Sequence, residues 1–262
     1  MGTLAVGDGF VYTIEGGRVI RRAQATLDTL DPIAPPPELP VGVGSSDERL
    51  YVYGAQGLYS RSRLSPAWER IIAPPGITSV SIAGDEISIT ARGVIYSRNL
   101  VEPAFTQLPG DSALSGVVQV DHDTENVYAR LGDGSLYVRP IERLAAWVQI
   151  APKSSIVQIA ISAEYVYALL TDGSTRRTMV DRRSGWEVYS YMASALGIAS
   201  SVALPSRLWI HETGANPRPI RPPTEPIDPG ELPPIVMPPV GPPTVDAWVV
   251  TDWANDWATE SA

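Results

Sequence analysis

The sequence predicts an all-β fold, a six-bladed β-propeller with an extended proline-rich C-terminal arm. Three observations lead to this prediction: a strand pair that recurs about every 39 residues, the absence of a sustained 3.6-residue apolar period, and a run of prolines after the last repeat. A fixed period of 20–50 residues is typical of repeat architectures, and the missing helical period excludes helical solenoids. Two stacked β-sandwich domains are the alternative architecture.

Each repeating unit contains a β-hairpin. Its first strand carries a residue pair, and the second members of successive pairs are 39, 37, 40, 39 and 42 residues apart. The six pairs are Val11-Tyr12, Leu50-Tyr51, Ile87-Ser88, Val127-Tyr128, Val166-Tyr167 and Leu208-Trp209. A turn and a second strand follow each of the first five pairs, and tight hairpin turns favour glycine because it readily adopts a positive φ. The turns contain Gly17, Gly57, Gly93, Asp133-Gly134 and Asp172-Gly173.

Two further strands complete each cycle. An aromatic residue introduces the strand after the hairpin, and successive aromatic residues are 37, 42 and 39 residues apart. They are Trp68, Phe105, Trp147 and Trp186. An apolar segment such as ITSVSIAG or IVQIAIS precedes the hairpin. Four short strands per cycle correspond to one propeller blade, so six cycles predict a propeller domain over residues 1–216.

The aromatic-led strands and the Asp-Gly turns resemble tectonin-type propeller repeats over residues 40–192. This resemblance implies a lectin that binds sugars between blades. Aromatic rings can stack on sugars, so the candidate glycan-binding residues are Trp68, Trp147 and Trp186. At a repeated strand position such aromatic residues more often pack between neighbouring blades, so packing is the favoured interpretation of these tryptophans. No sugar-binding motif can be carried over residue by residue, and the first repeat lacks the aromatic residue.

The C-terminal part of the chain differs in composition from the repeats. Residues 217–243 contain 12 prolines, and such a segment predicts a polyproline II linker arm. Residues 244–262 form an acidic tail with Trp248, Trp253 and Trp257, which we expect to dock on a protein surface because exposed tryptophans are unfavourable in water. The tail either inserts into another chain or returns its AWVV segment to complete the sixth blade.

Charge and residue types narrow the function. The 262 residues include no cysteine and carry a net charge of -9, so disulfides and thiolate metal sites are excluded and no nucleic-acid partner is expected. The first residues, MGTLAVGDGF, predict neither a signal peptide nor a membrane anchor, and we expect no membrane insertion. We found no catalytic motif, and His122 and His211 lack metal-ligand spacing, so the sequence predicts no enzyme, no cofactor and no metal site.

Two further groups of residues receive structural interpretations. Asp121, Asp123 and Asn126 form an oxygen-rich loop, but the glycine and glutamate of a full calcium loop are missing, so we predict a solvated turn. Arginines follow three of the hairpins, and we predict that they are solvated charges on edge strands. These arginines are Arg61, Arg98 and Arg139.

The sequence-based hypothesis is a non-enzymatic structural or binding component of a large assembly. A bacteriophage virion is the favoured setting, with the chain as a decoration, fibre or tail-attached protein that contacts other structural proteins through residues 217–262. The propeller would then be exposed for surface or glycan contact. The competing hypothesis is a soluble carbohydrate-binding lectin, either cytoplasmic or released.

Overall fold

A computed structural model describes residues 4–7, 9–27, 33–46, 48–62, 64–99, 102, 104–108, 114–141, 146–181, 185–192, 195–201, 204–213 and 215–220. These residues form six antiparallel sheets, each built from strands that are consecutive in the chain. Each sheet is one blade, and the number of blades equals the number of repeats in the sequence. The prediction of an all-β, six-bladed propeller is therefore confirmed.

The first three blades contain eleven described strands. Blade one has β1 (Leu4–Gly7), β2 (Phe10–Glu15) and β3 (Arg18–Ala23). Blade two has β4 (Gly42–Ser45), β5 (Arg49–Tyr53), β6 (Leu58–Ser62) and β7 (Glu69–Ile71). Blade three has β8 (Ile77–Ala83), β9 (Glu86–Ala91), β10 (Val94–Asn99) and β11 (Thr106–Gln107).

The last three blades also contain eleven described strands. Blade four has β12 (Val117–His122), β13 (Asn126–Leu131), β14 (Leu136–Pro140) and β15 (Val148–Ala151). Blade five has β16 (Ile156–Ile161), β17 (Tyr165–Leu170), β18 (Ser174–Met179) and β19 (Glu187–Tyr191). Blade six has β20 (Ala195–Ser201), β21 (Leu204–Glu212) and β22 (Arg218–Ile220), so the ring extends four residues beyond the predicted domain boundary at 216.

The hairpin turns follow the glycine pattern of the sequence. Gly17, Gly93, Gly134 and Gly173 have positive φ values, between 74° and 85°, whereas Gly57 does not. At Gly134 a side chain is also excluded by space, because a Cβ atom there would lie 2.1 Å from the Ser154 carbonyl oxygen. Glycine is thus required for both the turn and the close approach of the next connection.

The first strand of every blade lies at the centre of the ring. Each of these inner strands contacts the inner strand of the next blade, and β20 of blade six contacts β1 of blade one. The core is divided among the spaces between blades, with one apolar cluster in each of the six spaces. The propeller is therefore held together blade to blade, since the sheets bury their two faces against their neighbours.

The contact between blades six and one closes the ring. We call this contact the seam; its buried apolar residues are Leu4, Val6, Val11, Ala199 and Trp209. Trp209 is 1% exposed and is the largest of the fully buried side chains described. Beside the apolar cluster, Arg22 forms a bidentate ion pair with Glu15 at 2.8 and 3.1 Å. The seam joins two separate blades, each built from its own part of the chain.

Candidate functional site

The centre of the ring is a narrow channel. It is lined by the inner strands, and its cavity volume is about 100 Å³, which accommodates a few water molecules. Side chains from the inner strands cross between blades and use the backbone hydrogen-bonding groups of the neighbouring inner strand. The channel is therefore a site of structural cross-links rather than a roomy pocket.

Three of these cross-links occupy one repeated position on the inner strands. The Gln119 side chain both donates to and accepts from the backbone of Ile159, at 2.8 and 3.0 Å. The Gln158 side chain does the same with Ile198 one blade further on, at 2.8 and 3.2 Å. In blade three the equivalent Ser79 accepts a hydrogen bond from the backbone amide of the next blade at 2.8 Å. We call these the inner-strand clamps.

Blade two reaches the same result with a different residue. Its position is occupied by Gly42, and a Cβ atom there would lie 2.1 Å from the Tyr53 ring. The Tyr53 hydroxyl fills this space and donates to the Thr78 carbonyl oxygen of blade three at 2.7 Å. The glycine is thus explained by the tyrosine that crosses above it.

Two charged residues line the channel near the clamps. Arg130 donates to the Gln119 amide oxygen at 3.3 Å and contacts the Ile156 carbonyl oxygen at 3.4 Å, and burial lowers its pKa to about 10. Asp121 accepts from the Ser81 hydroxyl of blade three at 2.6 Å, and burial raises its pKa to about 7 although its hydrogen bonds oppose this change. Arg130 thereby positions Gln119 for its clamp, and Asp121 links blades three and four.

The three tryptophans predicted as candidate glycan-binding residues are all packed between blades. Trp68 lies against the cluster between blades one and two, and its indole N–H donates to the Ala34 carbonyl oxygen at 2.8 Å. Trp147 lies against the cluster between blades three and four, and Trp186 is buried between blades four and five. The structure spreads these residues around the ring rather than bringing them together.

The predicted edge-strand role of the three arginines is wrong. Arg61, Arg98 and Arg139 lie on third strands, next to a fourth strand, and each guanidinium stacks over the aromatic residue of its own blade. The distances from guanidinium carbon to ring centroid are 5.8 Å to Trp68, 5.2 Å to Phe105 and 5.1 Å to Trp147. Such pairs are attractive because the ring face is electronegative. In the sequence, each of these arginines precedes its aromatic partner by seven or eight residues, and this repeated spacing was the signal for the pairs.

The prediction that Asp121, Asp123 and Asn126 form a solvated turn is also wrong, since Asp121 accepts a hydrogen bond from Ser81 of the neighbouring blade and the other two residues are buried. Asp123 and Asn126 are buried, and the Asp123 carboxylate accepts hydrogen bonds from the Glu125 and Asn126 amides and the Tyr128 hydroxyl. The carboxylate therefore closes the turn, and its oxygen atoms are occupied by these hydrogen bonds. In the part of the chain that the structure describes, no group of three or more acidic or histidine side chains is placed to hold a metal ion.

A wider pocket opens beside this turn, between blades four and five. Its volume is about 600 Å³, and its wall combines carboxylates with Tyr165 and Met179. The carboxylates belong to Glu125, Glu164 and Asp181, while Asp123 lines the pocket with its carboxylate bonded within the turn. One face of the Tyr165 ring is covered by the Arg177 guanidinium at 4.4 Å. The sequence indicated the oxygen-rich loop of this pocket but not its second wall.

The remaining candidate residues have separate positions. His122 is buried in blade four, where burial lowers its pKa, and His211 lies in blade six next to the seam. The predicted docking residues Trp248, Trp253 and Trp257, with the arm that carries them beyond Ile220, lie outside the described residues. No helix within the described ranges is long and apolar enough to span a membrane.

Comparison with known proteins relates this chain to other propellers by structure alone. No family model matches the chain, and no curated protein sequence matches it. A chain of the nidogen–laminin complex is 10% identical with a TM-score of 0.64, and the match covers 78% of this chain and 85% of that one. Prp20p of Saccharomyces cerevisiae, the yeast RCC1 protein, is 10% identical with a TM-score of 0.53 over 83% of this chain and 76% of that one.

A bacterial surface protein is also similar. PorZ, a surface component of the type-IX secretion system of Porphyromonas gingivalis, is 15% identical with a TM-score of 0.54. The match covers 77% of this chain and 28% of PorZ, so this chain spans less than a third of that protein. At these identities the similarity establishes the β-propeller fold, and the tectonin-type subclass finds no match among these structures.

Proposed function

We propose that this chain is a non-enzymatic structural and binding component of a large assembly, anchored by its C-terminal arm with the propeller facing outward. A bacteriophage virion is the specific assembly that we propose, with the chain as a decoration, fibre or tail-attached protein. The observation that carries the proposal is that Trp68, Trp147 and Trp186 are used for packing between blades. The ring then serves as a rigid scaffold, and its function depends on the partners that bind to its outer surfaces and to the C-terminal arm.

The hydrogen bonding at the centre of the ring supports this scaffold role. The clamps made by Gln119 and Gln158 satisfy backbone groups of neighbouring blades, which fixes one blade relative to the next. The channel volume of about 100 Å³ is far below the 300–1,000 Å³ typical of small-molecule sites. These features favour an exposed scaffold that presents its outer surfaces to partners.

The test of the anchor uses the full chain expressed in the host that produces it. Large particles are separated from free protein on a density gradient, and the fraction of the chain that moves with the particles is measured. Simultaneous Trp248→Ala, Trp253→Ala and Trp257→Ala substitutions should shift the chain into the free fraction. Leu64→Ala is the matched control, because Leu64 is an exposed apolar residue of the ring. Unchanged particle association of the triple variant contradicts the anchor.

Glycan binding is the second candidate function, and the acidic pocket is the observation that favours it. Carboxylates and a tyrosine in a concave site of about 600 Å³ provide the acceptors and the apolar surface that hydroxyl-rich ligands use. We therefore propose a sugar site beside Glu125 and Asp181, away from the packed tryptophans. The site would be independent of the C-terminal arm.

A glycan array on the full chain tests the second candidate. Saturable binding that is lost with Asp181→Asn and kept with Asp172→Asn, an exposed residue of a hairpin turn, would support the pocket. Loss of binding in a correctly folded Trp147→Ala variant would instead indicate that the glycan binds at the tryptophans. The absence of saturable binding to any glycan removes this candidate.

A further inference from the structure

Five of the six apolar clusters are closed by a side chain that follows the third strand of a blade. We call these side chains plugs; they are Leu27 at the seam and then Trp68, Phe105, Trp147 and Trp186. The cluster between blades five and six has no such plug among the described residues, because β22 is the third strand of blade six and ends at Ile220. Blade six also has no described fourth strand.

The surface next to β22 is rich in apolar groups. Ile220 packs against the cluster between blades five and six, and its carbonyl oxygen accepts a hydrogen bond from the Tyr189 hydroxyl at 3.2 Å. Tyr189 belongs to β19, where Val188 and Tyr191 are 68% and 66% exposed. A strand edge that has no neighbouring strand among the described residues, near exposed apolar side chains, is a surface on which a further strand adds favourably.

The sequence identifies a segment suited to this edge. In blades two to five, a small residue and an aromatic plug stand before the fourth strand, as Ala67-Trp68, Ala104-Phe105, Ala146-Trp147 and Gly185-Trp186. After Ile220 this combination recurs once, at Ala247-Trp248, whereas Trp253 and Trp257 each follow an aspartate. The next residues are Val249, Val250 and Thr251, all of which favour β-strands.

We propose that residues 247–251 of a second copy of this chain form the fourth strand of blade six, with Trp248 as its plug. The inference deepens the proposed function and rests on it, because it identifies the receiver of the arm. Each copy would donate one arm and receive another. Such a head-to-tail contact builds rings or filaments, depending on the rotation between successive copies.

The length and composition of the intervening chain favour a second copy over a return to the same blade. In blades two to five, six or seven residues separate the third strand from the fourth. In blade six the interval between Ile220 and Val249 is 28 residues and contains ten prolines. At about 3.1 Å per residue an extended chain of this kind reaches roughly 85 Å, whereas adjacent strands lie about 4.8 Å apart. A stiff spacer so much longer than its span disfavours closure on the same blade.

Disulfide formation between mixed single-cysteine chains tests this proposal directly. The natural chain has no cysteine, so each introduced thiol is unique. Purified full-length Pro219→Cys protein is mixed with full-length Val249→Cys or Val250→Cys protein, which places a thiol on either face of the added strand. Lys153→Cys replaces Pro219→Cys in the matched control, because Lys153 lies on an exposed turn away from blade six. Circular dichroism confirms that each variant is folded.

The expected result is a disulfide-linked heterodimer of Pro219→Cys with one of the two valine variants, at least tenfold above the Lys153→Cys control. Adding Trp248→Ala to the valine variant should abolish it, whereas Trp257→Ala should not. Cross-linking at the control level overturns the proposal. A further variant carries both cysteines in one chain. A disulfide that forms only within this double-cysteine chain also overturns the proposal, because it would show that the arm returns to its own blade six. Because this assay needs no host particle, failure here with intact particle anchoring refutes the receiver alone.

Discussion

Blades two to five carry four strands each, whereas blades one and six, which are neighbours in the ring, carry three among the described residues. Both kinds of blade nevertheless keep the same inner three-stranded meander and the same apolar cluster against the next blade. The difference teaches that ring closure depends on the inner strands. The outer strand adds an aromatic plug and covers the edge of the sheet, whereas the buried residues of the seam come from the first two strands of blades one and six.

The largest expected effect is at the seam. Trp209→Ala should lower the free energy of unfolding by about 3–5 kcal/mol, because it leaves a cavity where the two three-stranded blades meet. Urea denaturation measures the loss. Val188→Ala, at an exposed position of a four-stranded blade, is the control and should change stability by less than about 0.5 kcal/mol. A loss below about 1 kcal/mol at Trp209 would mean that the seam is held by other contacts.

The next effect concerns a clamp between blades five and six. Gln158→Ala removes two hydrogen bonds and leaves the buried amide and carbonyl groups of Ile198 without their partner, so we expect a loss of about 2–3 kcal/mol. Urea denaturation again provides the measurement. Gln107→Ala, an exposed glutamine on β11, is the matched control. Equal effects of the two substitutions would show that the clamp does not hold the inner strands together.

A pH dependence is expected at Asp121, which links two four-stranded blades. Because burial raises its pKa to about 7, the native state favours the protonated form, so its contribution is fully present below about pH 4 and is lost as the pH rises towards 7. The difference in unfolding free energy between the natural chain and Asp121→Asn should therefore shift in favour of the variant as the pH rises from about 4 to about 8, as measured by urea denaturation at each pH. A pH-independent difference contradicts this assignment.

The smallest effect is expected for an arginine stacked on a plug. Arg61→Ala should cost about 0.5–1 kcal/mol, because the Arg61–Trp68 pair is partly exposed and its centroid distance is 5.8 Å. Arg139→Ala should cost more, since Arg139 is 1% exposed over Trp147. Thermal unfolding of both variants gives the order. A larger loss of stability for Arg61→Ala than for Arg139→Ala would contradict the idea that burial strengthens the stacking of an arginine on its plug.

The sequence predicted the repeat well because each blade is a local structure. Strand pairing within a blade involves neighbouring segments, so the apolar pairs and the turn glycines were sufficient to locate β17 and its hairpin partner β18. The clamps could not be predicted, because Gln158 acts on Ile198 and the contact depends on how two blades are set against each other. The need for glycine at position 42 could not be predicted either, because it depends on the Tyr53 ring that crosses above it.

For the candidate site, residue types were predicted better than their surroundings. The repeated tryptophans were recognised, but whether they faced a ligand or a neighbouring blade depended on the packing of clusters that lie between repeats. The buried position of Asp123 was missed because a turn rich in oxygen atoms suggests exposure. Its burial results from Tyr128 and Asn126, whose side chains supply donors to the carboxylate.

The seam has a consequence for the folding kinetics. Each blade can form from a short stretch of chain, but the seam joins Leu4 to Ala199 and must await the placement of all six blades. Loop-closure entropy makes such a distant contact late, so seam residues should be unstructured in the transition state for folding. Weakening the seam would then accelerate unfolding and leave the refolding rate nearly unchanged. The lifetime of the folded ring is thereby set where its two ends meet.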